Sequence, residues 1–308
     1  MLGEEETALR SSLRVERLEL DLETTSPGQL LPWIGPALRG NVGDRLRESC
    51  RCDDGRHLSN CPYGLLYDPS PAPGVPAGKV RPIRPLSLAP AFPLGSAPLR
   101  KGSRIRLAVT TFGASSERGT EIVAEALDQA GRVRGLGPDQ VQYKVDPNSI
   151  RLQSSLLQAS DLPDHPDEIS GVVPRLRIQL HAPLFLTTRS DSGRRVQQTD
   201  PALSDLLRAS LRVLGAAFRM HAEPLPSDFH ALRTAADPVH RIPSQWQPFE
   251  QARWSSRTHH RHRMRGVQGS AVFSNVPWSL IPWLTWGGRL HAGTHRVAGA
   301  GAWTVTLG

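Results

Sequence analysis

The same alternation of apolar and polar residues occurs once in each half of this chain, and it limits the fold more than any other feature. Leu18, Leu20 and Leu22 alternate with Glu19, Asp21 and Glu23, and Leu176, Ile178 and Leu180 alternate with Arg175, Arg177 and Gln179. A period of two is that of a strand with one buried face. After the first run, Pro36 can open a helix in which Leu38, Val42 and Leu46 recur at four-residue spacing, with Arg39, Arg45 and Arg47 on its other faces. Ile105, Leu107 and Val109 predict another strand. Ile122, Val123, Ala126, Leu127 and Ala130 predict an amphipathic helix, and Val141 to Val145 a strand beyond a glycine turn. Residues 69–98 hold nine prolines and no period, which predicts an extended connector over the surface. In the second half, Leu203, Leu206, Leu207, Leu211, Leu214 and Phe218 predict the clearest helix of the chain. A basic segment, a strand at Val267–Phe273, a short apolar helix Pro277–Trp286, a glycine-rich loop and a closing strand Trp303–Leu307 follow. This order predicts an α+β fold of two tandem ferredoxin-like (RRM-like, βαββαβ) domains. The polar stretch Asp161–Asp167 divides them into residues 1–168 and 169–308.

Charge narrows the partner. Lys and Arg number 37 against 29 Asp and Glu, a formal net charge of +8 that favours polyanions over acidic proteins or neutral metabolites. Aromatic residues make up only 6%, so platforms for stacking single-stranded bases are few. The opening MLGEEETALR is acidic and poor in apolar residues, and the longest apolar stretch, Val276–Trp286, is broken by Pro277, Ser279 and Pro282. No membrane association is expected, and the cytoplasm is the expected compartment. Cys50, Cys52 and Cys61 form an odd set that argues against a disulfide framework there. With His57 they supply the four ligands that a structural zinc requires, but the spacing CxC-x4-H-x3-C is not that of a standard finger. Unmetallated cysteines are the other reading.

The charge is concentrated. Residues 253–265 read RWSSRTHHRHRMR, with five arginines, three histidines and no acid. If helical, Arg253, Arg257, Arg261 and Arg265 form one stripe; if extended, Arg261, Arg263 and Arg265 share one face. Guanidinium pairs with phosphate bidentately, so a nucleic-acid backbone satisfies either line. The second feature is HAGTHRVAGAGAW, where Gly293, Gly299 and Gly301 precede the last strand. Glycines there permit a close backbone approach and offer N–H groups to phosphate, with Arg296 beside them. The run follows no strand and opens no helix, which excludes a dinucleotide-binding turn.

On these residues the chain resembles the CRISPR-associated pre-crRNA processing endoribonucleases of the RAMP superfamily. Arg253-Trp254-Ser255-Ser256-Arg257 and Met264-Arg265-Gly266-Val267-Gln268-Gly269 match that family's C-terminal hairpin, and Gly293 with Gly299-Ala300-Gly301 its terminal loop. Leu38-Arg39-Gly40-Asn41-Val42-Gly43, Cys61-Pro62-Tyr63, Thr111-Phe112-Gly113 and Gly135-Leu136-Gly137 extend the resemblance through the first half. It implies a protein that holds the CRISPR repeat stem-loop on a basic face, among other effector-complex subunits. It further implies cleavage by the RNA's own 2′-hydroxyl without a catalytic metal or other cofactor, leaving a 2′,3′-cyclic phosphate and a 5′-hydroxyl. The chain departs from the pattern at the first helix, which carries no histidine, at Thr294, where lysine is common, and at Ala298 and Ala300. The catalytic candidates by chemistry are therefore His295, His260, His259 and His57. The expected RNA-binding residues are Arg253, Arg257, Arg261, Arg263, Arg265, Gly293, Arg296, Gly299, Gly301, Arg39 and Arg45. A non-catalytic crRNA-binding subunit and a general basic nucleic-acid binder stay open as alternatives. His181 and His221 are read as structural.

Overall fold

The computed structural model describes residues 12–52, 57–58, 60–70, 82–95, 98–189, 192–255 and 260–308. The chain divides into two compact units, Met1–Ala159 with Gly215–Leu225 and Val297–Gly299, and Ser160–Leu214 with Pro226–Arg296 and Ala300–Gly308.

The first unit runs β1 (Ser12–Thr24), α1 (Gly35–Glu48), α2 (Pro62–Leu66), β2 (Leu86–Pro90), β3 (Arg104–Phe112), α3 (Ser116–Val133) and β4 (Tyr143–Gln158). Its sheet has the order β2-β3-β1-β4 with every pairing antiparallel, the split βαβ arrangement of a ferredoxin-like fold. The alternation in β1 does what its period requires: Leu18, Leu20 and Leu22 are buried in one cluster with Leu38, Val42, Leu107, Val109, Val123 and Leu127. The fourth strand is much longer than Val141–Val145. Val141 makes only an isolated bridge with Leu136, whereas the strand proper pairs with β1 as far as Ser12↔Gln158. Its outer half is largely exposed, so the backbone ladder holds it and side-chain pattern does not reveal it. The connector expectation for residues 69–98 needs correction as well, because Leu86–Pro90 forms an edge strand on β3. Edge strands tolerate proline. Residues 71–81 lie outside the described residues.

The second unit runs β5 (Val172–Leu180), the short hairpin β6 (Thr187–Arg189) and β7 (Arg195–Gln197), α4 (Leu203–His221, whose residues to Leu214 belong here), α5 (Phe229–Ala236), β8 (His240–Ser255), β9 (His260–Pro277), α6 (Ile281–Arg289) and β10 (Trp303–Leu307). The order β10-β5-β9-β8, again antiparallel throughout, repeats the first unit's topology. The predicted helix Pro277–Trp286 begins later than expected: Pro277 ends β9, Trp278–Leu280 is a 3₁₀ turn, and the α-helix starts at Ile281. Trp283 and Trp303 are both buried, and their ring N–H groups donate to the carbonyls of Pro163 and Leu284 at 3.0 and 2.8 Å. Among the described residues no helix is long and apolar enough to cross a membrane.

Glycine fixes one helix–helix approach in this unit. A Cβ at Gly287 of α6 would lie 1.9 Å from Ser210 Oγ and 2.4 Å from Ser210 Cβ of α4. Gly287→Ala is therefore expected to destabilise the protein by about 1–3 kcal/mol through overpacking. Gly40, exposed within α1 with nothing within 4 Å of an added Cβ, should on replacement by Ala gain up to about 1 kcal/mol. Thermal midpoints moving the same way in both variants would contradict this packing.

Candidate nucleic-acid interface

The described parts of the basic segment, 253–255 and 260–265, are extended, the second of the two arrangements left by the sequence. β8 and β9 form one long antiparallel hairpin in the second unit, with Glu250 opposite Arg265, Ala252 opposite Arg263, position 254 opposite 261, and position 253 opposite 262. Residues 256–259 lie outside the described residues, so two expected residues, Arg257 and His259, are not placed; for Arg253 and Arg261 only the strand register is described.

Because side chains alternate, the hairpin presents two different faces. Arg263 and Arg265 lie on one, and both are exposed at their tips. They are not a bare line of charge: Glu250 of the facing strand reaches Arg265 Nε at 3.0 Å and Arg263 at 3.4 Å, with side chains 46–71% exposed. The expectation that nothing neutralises the segment holds within residues 253–265 but misses this carboxylate. Sequence reading could find it only through the hairpin register, since Glu250 precedes the basic run. The opposite face carries buried Phe249, Gln251 and Met264 near its base and exposed His260 and His262 further out.

A short segment after β5 joins the glycine-rich loop to this hairpin. Leu184 and Val267 exchange N–H···O bonds of 2.8 and 3.0 Å. The next carbonyl, that of Phe185, accepts from the Thr294 amide at 3.0 Å and from Thr294 Oγ1 at 3.2 Å. The Phe185 ring meets Phe249 of β8 edge-on, centroids 6.0 Å apart, and meets His295 edge-on at 5.2 Å. His295 itself is exposed and has φ 60°, a left-handed conformation uncommon outside glycine and often found where a side chain must be aimed. Phe185, which positions the loop, carries no sequence signal of that role.

The loop glycines fill a different task from the one expected. Gly293, Gly299 and Gly301 all have positive φ, and a Cβ would lie 2.9 Å from the Phe185 carbonyl oxygen, 2.1 Å from that of Leu88 and 1.9 Å from that of Ala292, respectively. The space beside each is occupied by the protein's own backbone. Exposed Thr294 and His295, with the half-buried Arg296, are the loop's groups open to a ligand; Arg296 Nε also donates to the Leu290 carbonyl at 3.3 Å.

In the first unit, Arg45 is committed to Glu48 and Gln129 at 2.6 and 2.8 Å, while Arg39 is half-buried on α1. His57 does not stand as an open acid or base: Nδ1 faces Cys50 Sγ at 3.5 Å and Cys61 Sγ at 3.7 Å. The four expected zinc ligands Cys50, Cys52, His57 and Cys61 are brought together, their ligand atoms within 4.8 Å of one another. The Cys52 backbone amide draws the Cys50 thiol down to about 7, and burial pushes that of Cys61 up. His181 bonds Thr304 Oγ1 at 2.9 Å, and His221 packs edge-on against Phe112, as structural histidines do.

With this geometry in hand, similarity to known proteins can be read. A family model described as an AF_1859_N N-terminal domain matches residues 13–161. No curated protein sequence matches the chain significantly. Among solved structures, a product complex of a Thermus thermophilus Cas6 aligns with TM-score 0.57 and 15% identity, over 95% of this chain and 99% of that one. A second Cas6, in a substrate-mimic complex, aligns with TM-score 0.50 and 16% identity over 95% and 99% of the two chains. A chain of a partial Cas6-RT-Cas1–Cas2 complex aligns with TM-score 0.57 and 11% identity, over 98% of this chain and 47% of that one. The class that this fold defines is thus a pair of tandem ferredoxin-like domains carrying a basic hairpin. Its particular version is the Cas6 fold, the fold of the family that the sequence motifs resemble.

Replacing Glu250 by Gln frees both guanidiniums. Because the pairs are exposed, folding stability should change by less than about 0.5 kcal/mol. Affinity for structured RNA should rise and its salt dependence steepen, by a slope of up to about 1 for each phosphate newly contacted. A salt titration by fluorescence anisotropy reads this; an unchanged slope would place nucleic acid away from this face.

Proposed function

We propose that this chain matures CRISPR RNA: it binds the repeat stem-loop of the precursor transcript and cuts beside it by metal-independent attack of a 2′-hydroxyl. The products are a 2′,3′-cyclic phosphate and a 5′-hydroxyl. The observation that carries the reading is His295, exposed on a left-handed backbone and braced on Phe185, beside a hairpin that presents Arg263 and Arg265 on one face and His260 and His262 on the other. The Cas6 fold over 95% of the chain supports it.

The chemistry assigns work to each group. A base must take the 2′-hydroxyl proton, an acid must protonate the leaving 5′-oxygen, and cations must stabilise charge on the phosphorane-like transition state. Imidazole titrates in the range for either transfer, so His295 is assigned the first proton transfer, with His260 as the second candidate and His259 as the third. Arg263 and Arg265, with Arg253, Arg257 and Arg261 of the same hairpin, hold the RNA backbone, and Arg296 supplies a cation at the loop. A second reading, a crRNA-binding subunit that does not cut, is favoured by one observation: α1 (Gly35–Glu48) contains no histidine.

His295→Ala should lower the single-turnover cleavage rate by roughly 10²–10⁴-fold while leaving hairpin affinity within a few-fold, because a proton-transfer group is lost and no phosphate contact is. The assay is run in EDTA, with the cyclic phosphate identified by mass. Cleavage abolished by the chelator while hairpin affinity and thermal midpoint stay unchanged would remove the mechanism, and wild-type protein that binds the hairpin tightly but never cuts it would establish the second reading. Arg263→Ala with Arg265→Ala should instead weaken binding and flatten its salt dependence.

A further inference from the structure

We propose that Cys50, Cys52, His57 and Cys61 hold one structural zinc ion, a site separate from RNA processing and independent of the functional reading above. Three of the four ligand atoms stand at tetrahedral spacing, and Cys52 Sγ lies within 4.8 Å of them. Zinc bonded to sulfur at about 2.3 Å and to nitrogen at about 2.0 Å sets its ligand atoms roughly 3.5–3.8 Å apart. Cys50 Sγ lies 3.5 Å from Cys61 Sγ and 3.5 Å from His57 Nδ1, and Cys61 Sγ lies 3.7 Å from that same nitrogen. The donor set, three sulfurs and one imidazole, is the Cys₃His set of closed structural sites and leaves no position for substrate.

The surroundings are those of ligands, not of cysteines that merely pack. The Leu58 amide donates to Cys52 Sγ at 3.4 Å, and the Gly64 amide to Cys61 Sγ at 3.5 Å, so two of the sulfurs are oriented by backbone N–H groups. Asp68 Oδ2 stands 3.6 Å from His57 Nε2, the carboxylate partner that fixes the ring so that Nδ1 faces the sulfurs. The ring's approach depends on Gly64, where an added Cβ would lie 2.4 Å from His57 Cβ.

Apolar burial does not explain why the cluster forms. Between α1 and α2 the described residues include only one buried side chain, Cys61, while Leu58 is 66% exposed. A coordinate bond would supply the constraint that burial of these described residues does not. Cys50 follows the C-cap Ser49 of α1, and Cys61 is the N-cap of α2, so the ion ties the end of one helix to the start of the next.

The test uses the whole chain, refolded or purified with zinc present and then passed into chelator-free buffer without added metal. Elemental analysis should find about one zinc per chain. Replacement by cobalt should give thiolate-to-metal charge transfer and the intense visible bands of a tetrahedral ion. His57→Cys should keep the metal and raise the charge-transfer intensity by about a third, as four thiolates replace three. Cys50→Ser and Cys61→Ser should lose it, and chelation of the wild type should lower its thermal midpoint. Because the serine variants can fail to fold, the wild-type measurements decide. A folded wild-type chain that retains no zinc and gives no tetrahedral cobalt spectrum would overturn the proposal. So would native protein in which all three thiols react freely with a thiol reagent, or in which Cys50 and Cys61 are found as a disulfide. Metal content and the cobalt spectrum are read without RNA, so failure of the zinc site and failure of the nuclease reading are distinguishable.

Discussion

The carbonyl of Phe185 is the hinge point of the second unit's candidate site. It accepts two hydrogen bonds from Thr294, while the residue before it is paired with Val267 of the long hairpin and its own ring packs between Phe249 and His295. A loop with no more regular structure than the 3₁₀ turn Arg296–Ala298 thereby acquires a fixed place beside a strand, and the side chains it exposes inherit that precision. Backbone bonds of this kind are cooperative with the sheet they extend, which makes them better anchors for a catalytic group than surface side-chain pairs. The glycines close the loop on itself and on neighbouring carbonyls, so that the strained residue, His295, is held by geometry that a larger residue at Gly293 or Gly301 would disrupt.

Electrostatics on the hairpin is a balance rather than an accumulation. One carboxylate, Glu250, sits between Arg263 and Arg265. Exposed pairs of this kind add little to stability, and they keep two long side chains extended in one direction. A phosphate approaching that face competes with a single acid for two guanidiniums, and the planar fork of each can turn from one partner to the other with little loss.

What was legible in the sequence follows the burial. Leu18, Leu20 and Leu22, and Leu176, Ile178 and Leu180, were readable because each strand buries one face only, and the amphipathic helices were readable for the same reason. The strand Leu86–Pro90 was not: Leu86, Ser87 and Leu88 are all buried, and flanking prolines mask the pattern. The outer part of β4 was hidden because Arg151, Gln153, Ser154 and Ser155 are exposed, and its register with β1 resumes after an irregularity between Glu19 and Asp21. Within the candidate site, residue types were legible and their mutual placement was not. The arginines and His260 could be named, but which face each occupies, and which acid answers them, depends on a pairing register that only the fold supplies. The sulfur cluster was the converse case, a set of residues that could be named although its irregular spacing concealed that its members converge.

The two-sidedness of the hairpin carries a further consequence. With a repeat of two, sliding one strand past the other by a single residue would exchange the arginine side for the histidine side along its whole length. A ribbon whose sides differ in chemistry cannot accept that ambiguity. Gly266 serves as its index mark: the Phe185 ring lies where a Cβ would be, at 2.8 Å, so a neighbour shifted into that place would be refused by size alone. Fidelity of chemical orientation in this part of the molecule is thus set by the smallest side group on the strand.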